Sequence, residues 1–199
     1  PEDAGSGMHI HLSLLDESGR NIFDDGTATG AEVLRQAVAG MLRLIAESMA
    51  IFAPNVNSYR RFVPNLYVPI SATWGYNNRS VAVRIPAGSN SSRRIEHRVA
   101  GADANPYLVI AAVLAGAHFG ITHCLNPPQP RNDNAGVVLD SDIPFTWQAA
   151  LDRLDVESTL AEYLTPEYVS LYKDCKQFEL REFFSHFTPI EYEWYLSPE

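Results

Sequence analysis

The 199-residue sequence predicts an α+β fold: an antiparallel sheet backed by helices over about 30–50, 104–123 and 165–187. Strict alternation of apolar and polar residues marks strands at both ends of the first hundred residues. Apolar residues at helical spacing mark long helices between and after them. An apolar fraction of 46% supplies a sizeable core and excludes wholesale disorder.

Met8, Ile10, Leu12 and Leu14 alternate with His9, His11 and Ser13, so the first strand has one apolar and one hydrogen-bonding face. Asp16 to Arg20 reads as a turn that returns through Asn21–Phe23 as a hairpin. Val33, Leu34, Ala37, Val38, Met41, Leu42 and Ile45 then give an amphipathic helix. Pro54, Pro64 and Pro69 break residues 54–69 into a long loop, of a length that is usually functional or disordered. Strands follow near 70–75 and 79–86, and after the polar turn at 89–92 the stretch Arg93–Val99 alternates again. There Arg94, Glu96 and Arg98 share one face, opposite Arg93, Ile95, His97 and Val99. An Arg-x-Glu-x-Arg face suits solvent and a polar site equally well, and the pattern alone does not decide.

Asn105-Pro106 caps a helix reaching about His123, apolar almost all round yet diluted by Ala, Gly and His below the level of a membrane span. A Pro- and Asn-rich connector covers 126–144. The acidic tail, 140–199, is helical from Thr165-Pro166 to about Phe187, with a last short turn capped at Thr188-Pro189. Its aromatics (Tyr168, Tyr172, Phe178, Phe183, Phe184, Phe187) are expected to pack. The two cysteines, Cys124 and Cys175, build no disulfide framework and fit a reducing, cytoplasmic setting. No basic-then-apolar leader opens the chain, and its start at Pro1 suggests the C-terminal portion of a longer polypeptide.

Charge is unevenly distributed. Residues 1–139 hold 11 acids and 11 bases, so the net −9 comes entirely from the tail. Within the neutral part, residues 57–98 carry seven arginines (60, 61, 79, 84, 93, 94 and 98), no lysine and one acid, Glu96. A uniform basic footprint for nucleic acid is absent. Arginine supplies a planar, permanently charged fork for paired carboxylate or phosphate oxygens, so the cluster suits small anions. His9 and His11, at i and i+2 after Gly5 and Gly7, point the same way and suit one metal or phosphate cluster, or two solvated positions.

The ordered series is more specific than any member. Gly5-Ser-Gly-Met-His-Ile-His11 is followed by Asn57-Ser-Tyr-Arg-Arg61 with Val63-Pro64, and by Asn78-Arg-Ser80 with Arg84-Ile-Pro86. Arg93-Arg-Ile-Glu-His-Arg98 and Asn105-Pro-Tyr-Leu108 complete it. The series resembles the C-terminal catalytic part of the glutamine synthetase family across nearly the whole chain. Trp74-Gly-Tyr-Asn-Asn-Arg79 and Arg94-Ile-Glu-His-Arg-Val-Ala-Gly101 look most like its γ-glutamylpolyamine (γ-glutamylputrescine) synthetase branch.

The resemblance implies a curved sheet with the active site on its concave face. It implies that His9 and Glu96 share a divalent metal, Mg or Mn, and that His11 and Ser13 face the nucleotide. The Gly5 backbone would meet glutamate, Arg61 and Arg98 would hold its carboxylates, and Arg79 the transferred phosphoryl group. Arg84 and Arg94 would hold the ATP phosphates. The implied reaction is an ATP-dependent ligation through γ-glutamyl phosphate, in homo-oligomers of stacked rings, with no nucleic acid or membrane partner. The family's remaining metal-binding carboxylates are not in this sequence, so the polypeptide alone is expected to bind metal poorly, to be inactive and to expose apolar surface.

Two departures stand out. Ala4 replaces the family's asparagine before Gly-Ser-Gly. The flap that reads Gly-Tyr-Glu-Ala-Pro in ammonia-using enzymes reads Asn65-Leu-Tyr-Val-Pro69, so Tyr67 replaces the glutamate that takes the ammonium proton. A phenol offers an apolar face and a neutral oxygen where a carboxylate attracts a small cation, which predicts an organic amine such as putrescine as nitrogen donor. The rival readings are an ordinary ammonia-using glutamine synthetase and a non-catalytic assembly or sensor relative.

Overall fold

The computed structural model describes residues 5–196, so Ala4 lies outside the described residues. In chain order the strands are β1 (Ile10–Leu12), β2 (Trp74–Tyr76), β3 (Val83–Ile85) and β4 (Ile95–His97). The helices are α1 (Glu32–Phe52), α2 (Pro106–Thr122), α3 (Trp147–Arg153), α4 (Thr159–Leu164), α5 (Pro166–Ser185) and α6 (Pro189–Tyr195). The architecture is α+β, as the periodicities predict. α1 and α2 lie within two residues of their expected bounds at each end.

The four strands order β1-β4-β3-β2. β1 and β3 flank β4 antiparallel, whereas β2 runs parallel to β3, so the sheet is mixed rather than wholly antiparallel. The reason is local. Asn77 takes a left-handed φ of 49° and Ser80 closes onto the Asn78 side chain, so 77–82 folds back as a compact loop instead of a hairpin. The predicted first hairpin is present as a bridge between Leu15 and Asn21 around the 16–20 turn.

Alternation gives the sheet two unlike faces. Val83, Ile85, Ile95 and His97 turn inward against α1, where the Phe52 ring centroid lies 4.8 Å from that of His97. α1 and α2 cross at Gly40, Gly116 and Gly120, where any Cβ would strike the opposing backbone, so the helices approach through bare main chain. One buried cluster joins these helices to Trp147, Leu151 and Leu160 of α3 and α4. Both of those helices fall where the sequence showed only an acidic tail.

Residues 54–69 are not pure loop. Val56–Arg61 forms a 3₁₀ turn started by a reciprocal cap between Asn55 and Ser58. The connector at 126–144 lies against β2, with Arg131 N donating to Trp74 O at 2.7 Å. On α5, Val169 and Leu180 are the buried residues, while Tyr168, Phe178, Phe183 and Phe184, and Phe187 just beyond its end, are exposed. The expected aromatic packing is therefore corrected for these five: α5 lies on the body through a narrow stripe, and the rings stand outside it. Among the described residues no helix is long and apolar enough to cross a membrane.

Candidate active site

The polar face of the sheet gathers residues from three strands. Register places His11 opposite Glu96, Glu96 opposite Arg84 and Arg84 opposite Gly75, a row running straight across the sheet. Glu96 is its hub, 3% exposed. Its Oε1 accepts from Arg98 Nη1 at 3.0 Å and lies 3.1 Å from His9 Nδ1 and 3.9 Å from His11 Nε2. Its Oε2 accepts from Arg84 Nη1 at 2.9 Å. The second arm of Arg84 donates to Asn77 Oδ1 at 2.7 Å, and that of Arg98 to Arg79 O at 3.0 Å.

These neighbours set protonation. Burial pushes the Glu96 carboxyl up, but the Arg84 hydrogen bond and the charges of Arg98 and Arg84 outweigh it and hold the group below its usual range. Burial and the Arg98 charge push His9 down against the opposing pull of Glu96, so His9 is a neutral imidazole near pH 7. His97, fully enclosed on the other face, is pushed down to about 3 by burial.

His9, Tyr67, Arg79, Arg84, Glu96 and Arg98 line one open concavity of about 590 Å³. With His9 neutral, three guanidiniums face one carboxylate, an excess of two positive charges. Tyr67 stands 71% exposed on the rim with a left-handed φ of 57°. Two residues earlier Asn65 is also left-handed, at 65°, a conformation asparagine tolerates better than most side chains. Asn65 is tied down by Gly136 O, which accepts its N–H at 2.8 Å, and by Asn134.

The two ends of the β1–β4 ladder extend the site. At one end Gly7 bridges Gly101, and Arg61 donates from Nη2 to Val99 O at 2.8 Å. A Cβ on Gly5 would meet the Arg61 stem at 2.8 Å, so only glycine lets this backbone lie against it. At the other end Arg94 Nε donates to His11 Nδ1 at 3.2 Å, and Ser13 Oγ donates to Arg93 O at 3.2 Å.

All eleven site residues expected from sequence thus lie in the cavity or at an end of the β1–β4 ladder. Arg93 separates from the cluster: it is buried and donates to Thr27 O, Ala28 O and Asn90 Oδ1, fastening one loop to another. Sequence reasoning missed Asn77, the second partner of Arg84, and Asp103, which accepts from Ser58 Oγ at 2.6 Å. The Asn77-Asn78 pair was a visible turn signal, whereas no local pattern marked Asp103.

For a divalent metal the donor chemistry is right, since imidazole and carboxylate suit Mg or Mn. The donor number is not: among the described residues no three His, Cys, Asp or Glu groups converge on one point. His9 and Glu96 fit as part of a coordination shell, and the rest would have to come from elsewhere.

The glutamine synthetase catalytic-domain family model matches residues 1–195. The γ-glutamylputrescine synthetase PuuA of Escherichia coli is 44% identical over 98% of this chain and 41% of its own length. The γ-glutamylethanolamide synthetase GlnA4 of Streptomyces coelicolor is 36% identical over 94% and 40%. A solved structure of GmaS without ligand superposes with a TM-score of 0.84 at 30% identity, covering 98% of this chain and 45% of that one. The chain therefore spans about two fifths of the length of the curated relatives it matches. Fold, ordered motifs and these likenesses agree that the chain belongs to the glutamine synthetase family.

Proposed function

We propose that the chain is the C-terminal part of the catalytic domain of an ATP-dependent ligase that joins the γ-carboxylate of glutamate to an organic amine. The observation that carries this reading is the cavity itself, where three arginines, a His–Glu pair and the flap tyrosine Tyr67 meet. ATP and glutamate bring several negative charges into one place, and fixed guanidiniums are what tolerate such crowding.

In this reading a γ-carboxylate oxygen of glutamate attacks the terminal phosphorus of ATP, ADP leaves, and γ-glutamyl phosphate forms. The amine nitrogen then attacks the acyl carbon, phosphate leaves and the nitrogen loses a proton to give the amide. No protein nucleophile is needed, only in-line placement and charge neutralisation. Arg61 and the Gly5 backbone hold glutamate at one end of the ladder, together with Arg98. His11, Ser13 and Arg94 receive the nucleotide at the other, with Arg84. Arg79 has no ion-pair partner among the described residues and faces the phosphoryl group in transit. A divalent ion bound through His9 and Glu96 would supply charge neutralisation at the phosphates. Tyr67 presents a neutral oxygen and a ring to the incoming amine. A cytoplasmic location and a ring-stacked homo-oligomer belong to the same proposal.

Phosphate release from ATP and glutamate, compared between ammonium, putrescine, spermidine and monoamines at the full length of the relatives, tests it. Higher turnover on an organic amine supports the reading, and higher turnover on ammonium returns the chain to ordinary glutamine synthetase. No release with any donor, with ATP still bound, leaves a non-catalytic relative.

A further inference from the structure

Arg61 ends a 3₁₀ turn whose beginning is held from outside. The turn starts at the mutual cap of Asn55 and Ser58, and both capping side chains also donate to one oxygen of Asp103, Ser58 Oγ at 2.6 Å and Asn55 Nδ2 at 3.0 Å. Asp103 sits in the turn between β4 and α2, closed by Ala104 N donating to Gly101 O at 3.1 Å. Its other oxygen lies so near Gly101 that a Cβ there would collide with it. The same Cβ would stand 3.1 Å from Arg61 Nε and 3.3 Å from Cζ. Gly101 is thus held between the Asp103 carboxylate and the Arg61 guanidinium, and its backbone bridges Gly7 at the end of the ladder.

We propose that Asp103 is a positioning residue for Arg61, fixing where that guanidinium stands at the glutamate end of the cavity; the inference rests on the reading of Arg61 given above. The physical argument is one of leverage. A 3₁₀ turn rises about 2 Å per residue and is rarely stable alone, so release at Asn55 and Ser58 displaces the residue at the far end. Within the turn Arg61 is anchored through one arm to Val99 O, and its Nε is buried without a partner among the described residues. Burial weakens the charged form of Arg61, and the Asp103 charge opposes that. A misplacement of about 1 Å at such a contact is costly out of proportion to its size.

The test is steady-state kinetics at the full length of the relatives with ATP, glutamate and putrescine. Asp103→Ala is expected to raise KM for glutamate about tenfold, with KM for ATP within about twofold and a smaller loss in kcat. Ser58→Ala should move the same constant the same way by about threefold, and Asp103→Asn, which keeps an acceptor for Ser58, should recover most of the loss. Should Asp103→Ala fail to fold, Ser58→Ala and Asn55→Ala carry the decision. An unchanged KM for glutamate in these variants, or equal rises for glutamate and ATP, overturns the inference. Arg61→Ala separates the two layers. A large rise in KM for glutamate with that variant alone leaves the reading of Arg61 standing and removes Asp103, and no rise removes both.

Discussion

The sheet and the C-terminal helices break the rule of apolar inside and charged outside in opposite directions. Around Glu96 the strands bury charge: the carboxylate is 3% exposed, Arg98 6%, and each is held by the other. On α5, α6 and the turn between them the chain exposes aromatics, with Phe184 68%, Phe187 73% and Trp194 68% accessible. The two exceptions differ in what satisfies them. The buried carboxylate and guanidiniums are hydrogen-bonded to one another inside this chain, whereas the exposed rings have nothing to cover them among the described residues, which is the pattern of a surface made for contact.

The largest effect should follow from removing the hub. Glu96→Ala leaves Arg98 and Arg84 enclosed without their counter-charge, and breaking one side of a buried pair costs about 3–5 kcal/mol. The matching change on α5, Glu179→Ala, releases Lys176 from an exposed pair and should cost less than about 1 kcal/mol. Denaturant melts of the two variants measure the contrast, and similar losses would mean that the Glu96 cluster is not the anchored centre described here.

The flap comes next. Tyr67 lies on the cavity rim, and under the proposed function Tyr67→Glu places a carboxylate in the path of the incoming nitrogen. The ratio of turnover on ammonium to turnover on putrescine should rise by about tenfold, the effect of about 1.4 kcal/mol at the transition state. No change in that ratio would make Tyr67 a bystander.

Acid should find the buried side of the comparison first. His97 is pushed down to about 3 in the fold, against an ordinary value of 6.5. Between those values the unfolded chain binds a proton that the native chain refuses, so stability falls as pH falls from 6.5 toward 3, by up to about 1.4 kcal/mol per pH unit. Glu96, held below its usual range, works the same way: its contribution is present above the unfolded carboxyl value and is lost as pH drops through the folded one. Melts of His97→Phe between pH 7 and 4 should show a flatter decline than the parent chain. An equal slope would place the acid sensitivity elsewhere.

The periodicities made α1 and both strands of the ladder legible, because each has a repeating apolar position that only one element geometry satisfies, and the Asn105-Pro106 and Thr165-Pro166 caps marked α2 and α5. They also sorted Arg93 from Arg94, Glu96 and Arg98 by face, which the structure bears out by turning Arg93 into a loop fastener. The parallel β2 was not legible, since its direction is set by a left-handed Asn77 and a six-residue loop rather than by any run of residues. Nor was Asp103, whose partners sit 45 and 48 positions away. The aromatics of α5 misled for a plain reason: helical spacing states which residues share a face, not whether anything lies against it.

That last point yields the smallest effect and the sharpest test of the helices. Phe184 and Phe187 are exposed, so Phe184→Ser and Phe187→Ser should each change the stability of the isolated chain by less than about 0.5 kcal/mol. A core phenylalanine truncated as severely costs about 3–5 kcal/mol. What should change is association: sedimentation of the double variant is expected to show less self-assembly than the parent, because the lost area lies outside the fold. A stability loss of core size would show instead that the rings are packed in solution, and the contrast between buried charge and exposed aromatic would disappear. An unaltered sedimentation profile with unaltered stability would leave the rings exposed but remove self-association as the reason for them.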